Sequence, residues 1–288
     1  MFPIALALSG SFWFAASMIL INRGLLTLDY FRGLLANLAV NAAFLWIYIL
    51  IFGASVQLWL PVNGVFVAVG VFVPGVARFV IFKGVERLGA AISSCLTNSG
   101  PLFALALAVA FLGERPTTTN VLGAVSIVGG IVALSWKGVS KTWRTLDLAF
   151  PLTAALLFAA RDNLVRFAVV RIPDPVVGAA ISATTSLGTM AAAYAIFGEK
   201  KPLPRSAAAG VACFALSGFM NFLSYVLTYT ALSLERVSII SPLVNASSLF
   251  ILPLSALFLR DVETLTARKI GAIGLVILGV FLISWEKL

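Results

Sequence analysis

Almost every charged residue in the sequence falls at the end of an apolar run or between runs, but two neighbours, Arg161 and Asp162, lie near the middle of one. An ionised side chain at mid-bilayer costs about 3 kcal/mol or more, so it normally faces a cavity or a partner. Asp162 and Arg166 are four apart with the acid first, which suits an intrahelical pair. Arg161 has only apolar neighbours three and four positions away (Leu157, Phe158, Leu164, Val165). It must therefore use Asp162, backbone carbonyls, water or an anionic solute. A guanidinium holds a carboxylate through two parallel hydrogen bonds, and intramembrane carboxyl groups serve as proton relays. The chemistry on offer is recognition of an anionic group and proton exchange, with a structural bridge as the equal alternative. Arg78 is the third deep charge, roughly 9 Å past the centre of its run at 1.5 Å per residue. From there it can snorkel to the interface.

Uncharged polar residues add to this set. Ser217, Asn221, Tyr225 and Tyr229 recur every four residues and share one helix face. Such a stripe suits a cavity for planar or zwitterionic solutes, or hydrogen bonding between helices. Ser94 and Asn98 form one four-residue pair, Ser241 and Asn245 another, with Asn98 and Asn245 each within roughly 5 Å of its run's centre. An amide offers two donors and two acceptors and can orient an ammonium and a carboxylate alike. Asn37 and Asn41 form a similar pair, equally suited to packing or to a cavity. With no histidine and only two cysteines, a histidine-based triad is impossible, and a disulfide framework or a zinc site is not expected. No cofactor is expected.

The elements that carry these residues follow from composition. Of 288 residues 61% are hydrophobic and 11% charged, against about 45–50% and about 25% in soluble domains. Mean hydropathy is +1.06. The net charge of +9 would suggest nucleic acid in a soluble protein, but here the basic residues separate long apolar runs, so the partner is the lipid bilayer. A helix crosses the hydrocarbon with roughly 20 apolar residues. Ten such runs occur, at about 3–22, 32–53, 62–83, 88–112, 117–137, 147–170, 175–198, 206–232, 236–259 and 268–285. The first is too long for a signal-peptide core and lacks a basic leader, so it reads as a span.

The halves repeat. Ser94, Asn98, Leu102, Phe103, Phe111 and Leu112 match Ser241, Asn245, Leu249, Phe250, Phe258 and Leu259, every pair 147 apart. Glu86-Arg87 matches Glu235-Arg236, and Leu134-Ser135-Trp136 matches Ile283-Ser284-Trp285, both 149 apart. The expected organisation is a five-helix repeat at 1–138, a connecting loop at 139–146 and a second repeat at 147–288. An odd number of spans per repeat inverts the second in the membrane, a common plan of secondary transporters with the substrate site at midplane. Loops after odd-numbered spans hold thirteen Lys and Arg, against five after even-numbered spans and in the tail. Within each half the bias falls on opposite loops, as inversion requires. Taken literally, the positive-inside rule sets both termini together, outside the cytoplasm.

Leu112-Gly113-Glu114-Arg115-Pro116-Thr117, followed by Gly123 and Gly129-Gly130, resembles the end of the repeat in the EamA branch of the drug/metabolite transporter superfamily. Ala231-Leu232-Ser233 and the Phe12-Trp13 region are similar to the family as well. The resemblance spans the whole chain. It implies a ten-helix exporter of amino acids, aromatic ones included, or of other small metabolites, often in exchange for protons. The second repeat departs from the pattern, with Arg260-Asp261-Val262-Glu263-Thr264 in place of Gly-Glu-x-x-Thr. The family's habit of cytoplasmic termini also opposes the charge count, and orientation stays open at this point.

The expected protein is an all-α polytopic membrane protein, not an enzyme, in the inner (plasma) membrane. It would be a secondary active transporter of a small molecule, working by alternating access, with proton coupling as an option. Its substrate-binding set would be Arg161, Asp162, Ser94, Asn98, Ser241, Asn245, Asn221, Tyr225, Tyr229 and Arg78. A multidrug exporter of lipophilic cations is the second reading, although two deep arginines against one aspartate disfavour it. A channel or a membrane enzyme is third.

Overall fold

The computed structural model describes residues 1–52, 57–88, 93, 96–135, 145–198, 207–247, 249–251, 253–254 and 267–285. Every regular element among them is helical. In the first half these are α1 (Phe2–Gly24), α2 (Tyr30–Phe52), α3 (Asn63–Phe72), α4 (Arg78–Leu88), α5 (Gly100–Leu112) and α6 (Thr118–Ser135). In the second half they are α7 (Ala149–Val169), α8 (Pro175–Phe197), α9 (Ala207–Leu234), α10 (Val237–Asn245) and α11 (Ala267–Trp285). Five helical segments are long and apolar enough to cross a membrane: α1, α2, α7 with the preceding short turn, α8 and α9.

Of the ten expected spans, five thus stand as long apolar helices, and the others are present as shorter helices or in part. The third expected span is divided by a π-helical turn, Val73–Ala77, between α3 and α4. Pro74 lies in that turn; proline has no N–H and cannot continue an α-helical ladder, which favours such a break. The fourth and ninth are described from Gly100 and up to Asn245 as regular helix, and their remaining stretches fall partly outside the described residues. So do the expected connecting loop up to residue 144 and the divergent Arg260–Thr264 stretch.

Most of the larger helix contacts among the described residues are retained when the two halves are exchanged, although α8 on α9 has no counterpart of similar extent between α2 and α3. With α3 and α4 counted as one segment, α1 on α9 corresponds to that segment on α7. Likewise α2 on α9 corresponds to α3 on α8, and α5 on α7 to α10 on α1. The remaining major contacts, α2 with α8, α5 with α10 and α6 with α11, exchange into themselves. A core of small and branched side chains, including Ala7, Leu45, Phe66, Ala104, Val165, Ala180 and Ile240, fills the centre.

The glycine-rich α6 and α11 divide by face. A Cβ on Gly123 would lie 2.8 Å from the carbonyl oxygen of Gly279, and one on Gly130 would lie 2.6 Å from that of Ala272. Conversely, a Cβ on Gly279 would lie 2.5 Å from the Gly123 carbonyl. Gly129, Gly271 and Gly274 face open space. The reason is backbone approach: only hydrogen at the contact lets two helices come this close. Gly279→Ala should therefore destabilise the protein by about 1–3 kcal/mol through overpacking against backbone that cannot yield. Gly274→Ala should be neutral or slightly stabilising, because alanine favours helix by about 1 kcal/mol. Thermal unfolding in detergent separates the two; equal midpoints would show that α6 and α11 do not depend on this contact.

Candidate functional site

The polar centre is built on α7. Arg161 donates from Nε and Nη2 to Oδ1 of Asp162 at 3.0 and 2.7 Å. Ser241 on α10 donates to the other carboxylate oxygen, Oδ2, at 2.6 Å. Neighbouring residues of a helix point about 100° apart, so only a long, flexible arginine can fold back onto the acid beside it. The Asp162 side chain is 5% exposed, yet that of Arg161 is 29% exposed. The acid is thus buried and shared between two helices, while the arginine side chain beside it is only partly covered. Among the described residues Nη1 has no hydrogen-bond partner, so part of the five-donor fork is not engaged by them.

Arg166 does not take up the expected pairing with Asp162. It donates from Nη1 to the carbonyl of Leu232 at 2.5 Å, with Glu114 and Glu235 in electrostatic reach. The carbonyls in the last turn of α9 lack intrahelical partners and favour a cation. Arg161 and Ser241 meanwhile supply Asp162 with its hydrogen bonds.

The four-residue stripe on α9 divides in two. Tyr225 and Tyr229 stack with ring centroids 5.7 Å apart and planes at 17°, and both lie within electrostatic reach of Arg161. The Tyr229 ring approaches Phe66 at 6.3 Å, and the nearby Ser182 hydroxyl donates to the Phe66 carbonyl at 3.1 Å. Ser217 and Asn221 instead meet α2: Asn37 donates to Ser217 at 2.6 Å, and Asn221 donates to Asn37 at 3.1 Å. That end of the stripe joins two helices.

The repeated pairs are placed unequally. Ser241 belongs to the Asp162 centre, and Asn245 donates to the Ser241 carbonyl at 2.8 Å. Asn98 is half-buried just before α5. Ser94 lies outside the described residues, and of Arg78 the structure describes only the backbone, at the start of α4. Asn163 escaped the sequence reading. It donates to the carbonyls of Ala104 on α5, at 3.0 Å, and of Ala159, at 2.9 Å, tying α7 to α5 beside the centre. Its signal was present, as the third polar residue of the run Arg161-Asp162-Asn163. A separate apolar cleft of about 220 Å³, lined by residues such as Ile19, Leu216 and Met220, contains none of the polar centre.

The sequence pattern of the EamA-like transporter family matches residues 1–136 and again 146–285. The chain belongs to the EamA-like transporter family. As an EamA-like protein with two copies of the repeat, it is a membrane transporter of small molecules. A crystal structure of another protein superimposes with a TM-score of 0.78, covering 99% of this chain and 96% of that one at 16% identity. That likeness concerns the fold. No curated protein matches the chain in sequence.

Proposed function

We propose that this EamA-like protein is a secondary active transporter that exports small organic metabolites, amino acids first among them, by alternating access of two inverted bundles. The observation that carries the reading is Arg161: a mid-helix arginine whose side chain is 29% exposed, beside an aspartate side chain that is 5% exposed. A permanent cation held there implies a polar cavity. Its free donors fit the carboxylate of an amino acid. The stacked Tyr225 and Tyr229 offer a flat apolar face beside it, which favours a planar side chain, aromatic amino acids included. Ser241, Asn245, Asn98 and Ser94 would line the two sides of the pseudo-two-fold axis, and Asp162 would couple transport to protons. Arg78 and Asn221 would stand at the margin of the cavity. A lipophilic cation finds less here, since the Asp162 carboxylate is already engaged through both oxygens.

The test is a counterflow screen of amino acids in proteoliposomes, with and without a pH gradient. Saturable counterflow of an amino acid is the expected result. Exchange of lipophilic cations alone, or unitary conductance in a planar bilayer, would overturn the reading.

A further inference from the structure

At one membrane face the two halves are tied together by a device that no motif reading predicts. Gly113 takes a left-handed conformation, φ +66°, and ends α5. The turn places Glu114 against the first residues of α10, in the other half of the chain. Glu114 accepts a hydrogen bond from the backbone N–H of Val237 at 2.8 Å on Oε1, and another from that of Ser238 at 3.0 Å on Oε2. A carboxylate at a helix N-terminus meets unsatisfied N–H groups and the positive end of the dipole together. Arg236, the residue that precedes α10, returns the contact by donating to the Arg115 carbonyl at 3.0 Å. On the α7 side Arg166 holds the Leu232 carbonyl, with Glu114 and Glu235 close by.

The position of this layer gives it meaning. Ser241 follows Val237 by four residues, and Arg166 follows Asp162 by four. Both intervals are one helical turn, about 6 Å. The Glu114 layer therefore lies one turn above the Asp162–Ser241 centre, on the side toward which α5 and α7 end and α10 begins. Arg236 keeps a 42% exposed side chain, whereas Val237 and Ser238 just below it are fully buried.

We propose that Glu114 is the latch of a gate: its two bonds to α10 seal the polar centre from this face, and their release opens it. The proposal rests on the alternating-access reading above. Because α5 and α10 meet across the exchange of halves, separating them at one face is the movement that would admit solute there. The latch joins backbone to carboxylate, so it needs the charge and both oxygens of Glu114. Its breakage leaves no arginine stranded: Arg166 keeps the Leu232 carbonyl, and Arg236, which gives up the Arg115 carbonyl, is 42% exposed with Glu235 3.9 Å away.

The test is sided thiol labelling. Asn245→Cys and, separately, Ser238→Cys serve as reporters in a background carrying Cys95→Ala and Cys213→Ala. A membrane-impermeant maleimide is applied to right-side-out and to inside-out vesicles. Glu114→Gln, which keeps the shape but loses the charge and one acceptor, should raise labelling at 245 from the Glu114 face about tenfold, as expected for one lost charge-assisted bond. Labelling at 245 from the opposite face should fall. Arg236→Gln, an exposed change that spares the fold, should act in the same direction with smaller effect. If only position 238 becomes reactive, Glu114 is a local helix cap and the gate is overturned. Unchanged rates at both positions, in both variants, overturn it as well. A rise from the Glu114 face with no fall from the other upholds the seal while overturning alternating access.

Discussion

Asp162→Asn should abolish transport driven by a pH gradient while leaving solute exchange intact. Asp162 uses Oδ1 for two bonds from Arg161 and Oδ2 for one from Ser241. Asparagine keeps one acceptor and turns the other into a donor, so either Arg161 or Ser241 loses its partner. The negative charge that balances Arg161 disappears too. Breaking a fully buried pair costs about 3–5 kcal/mol. Here the Arg161 side chain is 29% exposed, so the pair is not fully buried, and about 1–3 kcal/mol of stability is the expected loss, visible as a lower melting temperature. The folded variant resembles the protonated state. In it Arg161 is no longer paired with an internal carboxylate and still offers its other edge to a solute carboxylate, so exchange persists. What it cannot do is lose the proton and re-form the pair, so the gradient no longer drives net flux. Uptake into proteoliposomes with an imposed pH gradient, run beside counterflow without one, reads both properties. Wild-type rates in both assays would leave Asp162 a structural residue.

The physical reasons that made some of this legible also explain what stayed hidden. Arg161 and Asp162 stood out because charge inside an apolar run is costly, and that cost needs no partner to be recognised. The five long helices stood out because length and apolarity are local properties. The repeat marked Ser241 through its match with Ser94. That Ser241 reaches Asp162, 79 residues earlier, is a tertiary fact that no spacing encodes. Likewise the Asp162–Arg166 spacing favours an intrahelical pair, but the pair lost to the open carbonyl of Leu232, which belongs to another helix. The Ser217–Tyr229 stripe was a single face in sequence. It became two sites because α2 presents Asn37 to one end and α7 presents Arg161 to the other. Glu114 was visible as part of a motif, and its partners are backbone N–H groups, which carry no sequence signature at all. Pro74 was legible as a helix disturbance, but not the form the disturbance takes, a wide turn between α3 and α4.

The substitution Arg161→Lys should weaken solute binding about ten- to a hundredfold, with little loss of folded protein. Lysine keeps the charge, and its ammonium can still pair with Asp162, so the buried acid is not left unbalanced. What it lacks is the planar fork. Arg161 spends Nε and one hydrogen of Nη2 on Asp162, and the geometry of the guanidinium leaves Nη1 pointing elsewhere with donors free. An arginine can thus hold the internal carboxylate along one edge and a solute carboxylate along another. A lysine has three donors on one nitrogen, strongly hydrated and without a second edge, and must divide them between the two anions. Losing one bidentate contact of this kind is worth about 1.4–2.8 kcal/mol, which is the stated range in affinity. The loss should be specific to the carboxylate: an amide or ester analogue of the same solute, already weak on the wild type, should bind the two proteins alike. Equilibrium binding of solute and analogue to purified protein in detergent, with melting temperature as the control for folding, measures each term. Equal affinity of wild type and variant for the free acid would remove Arg161 from the site and leave the unengaged donors of its guanidinium to water.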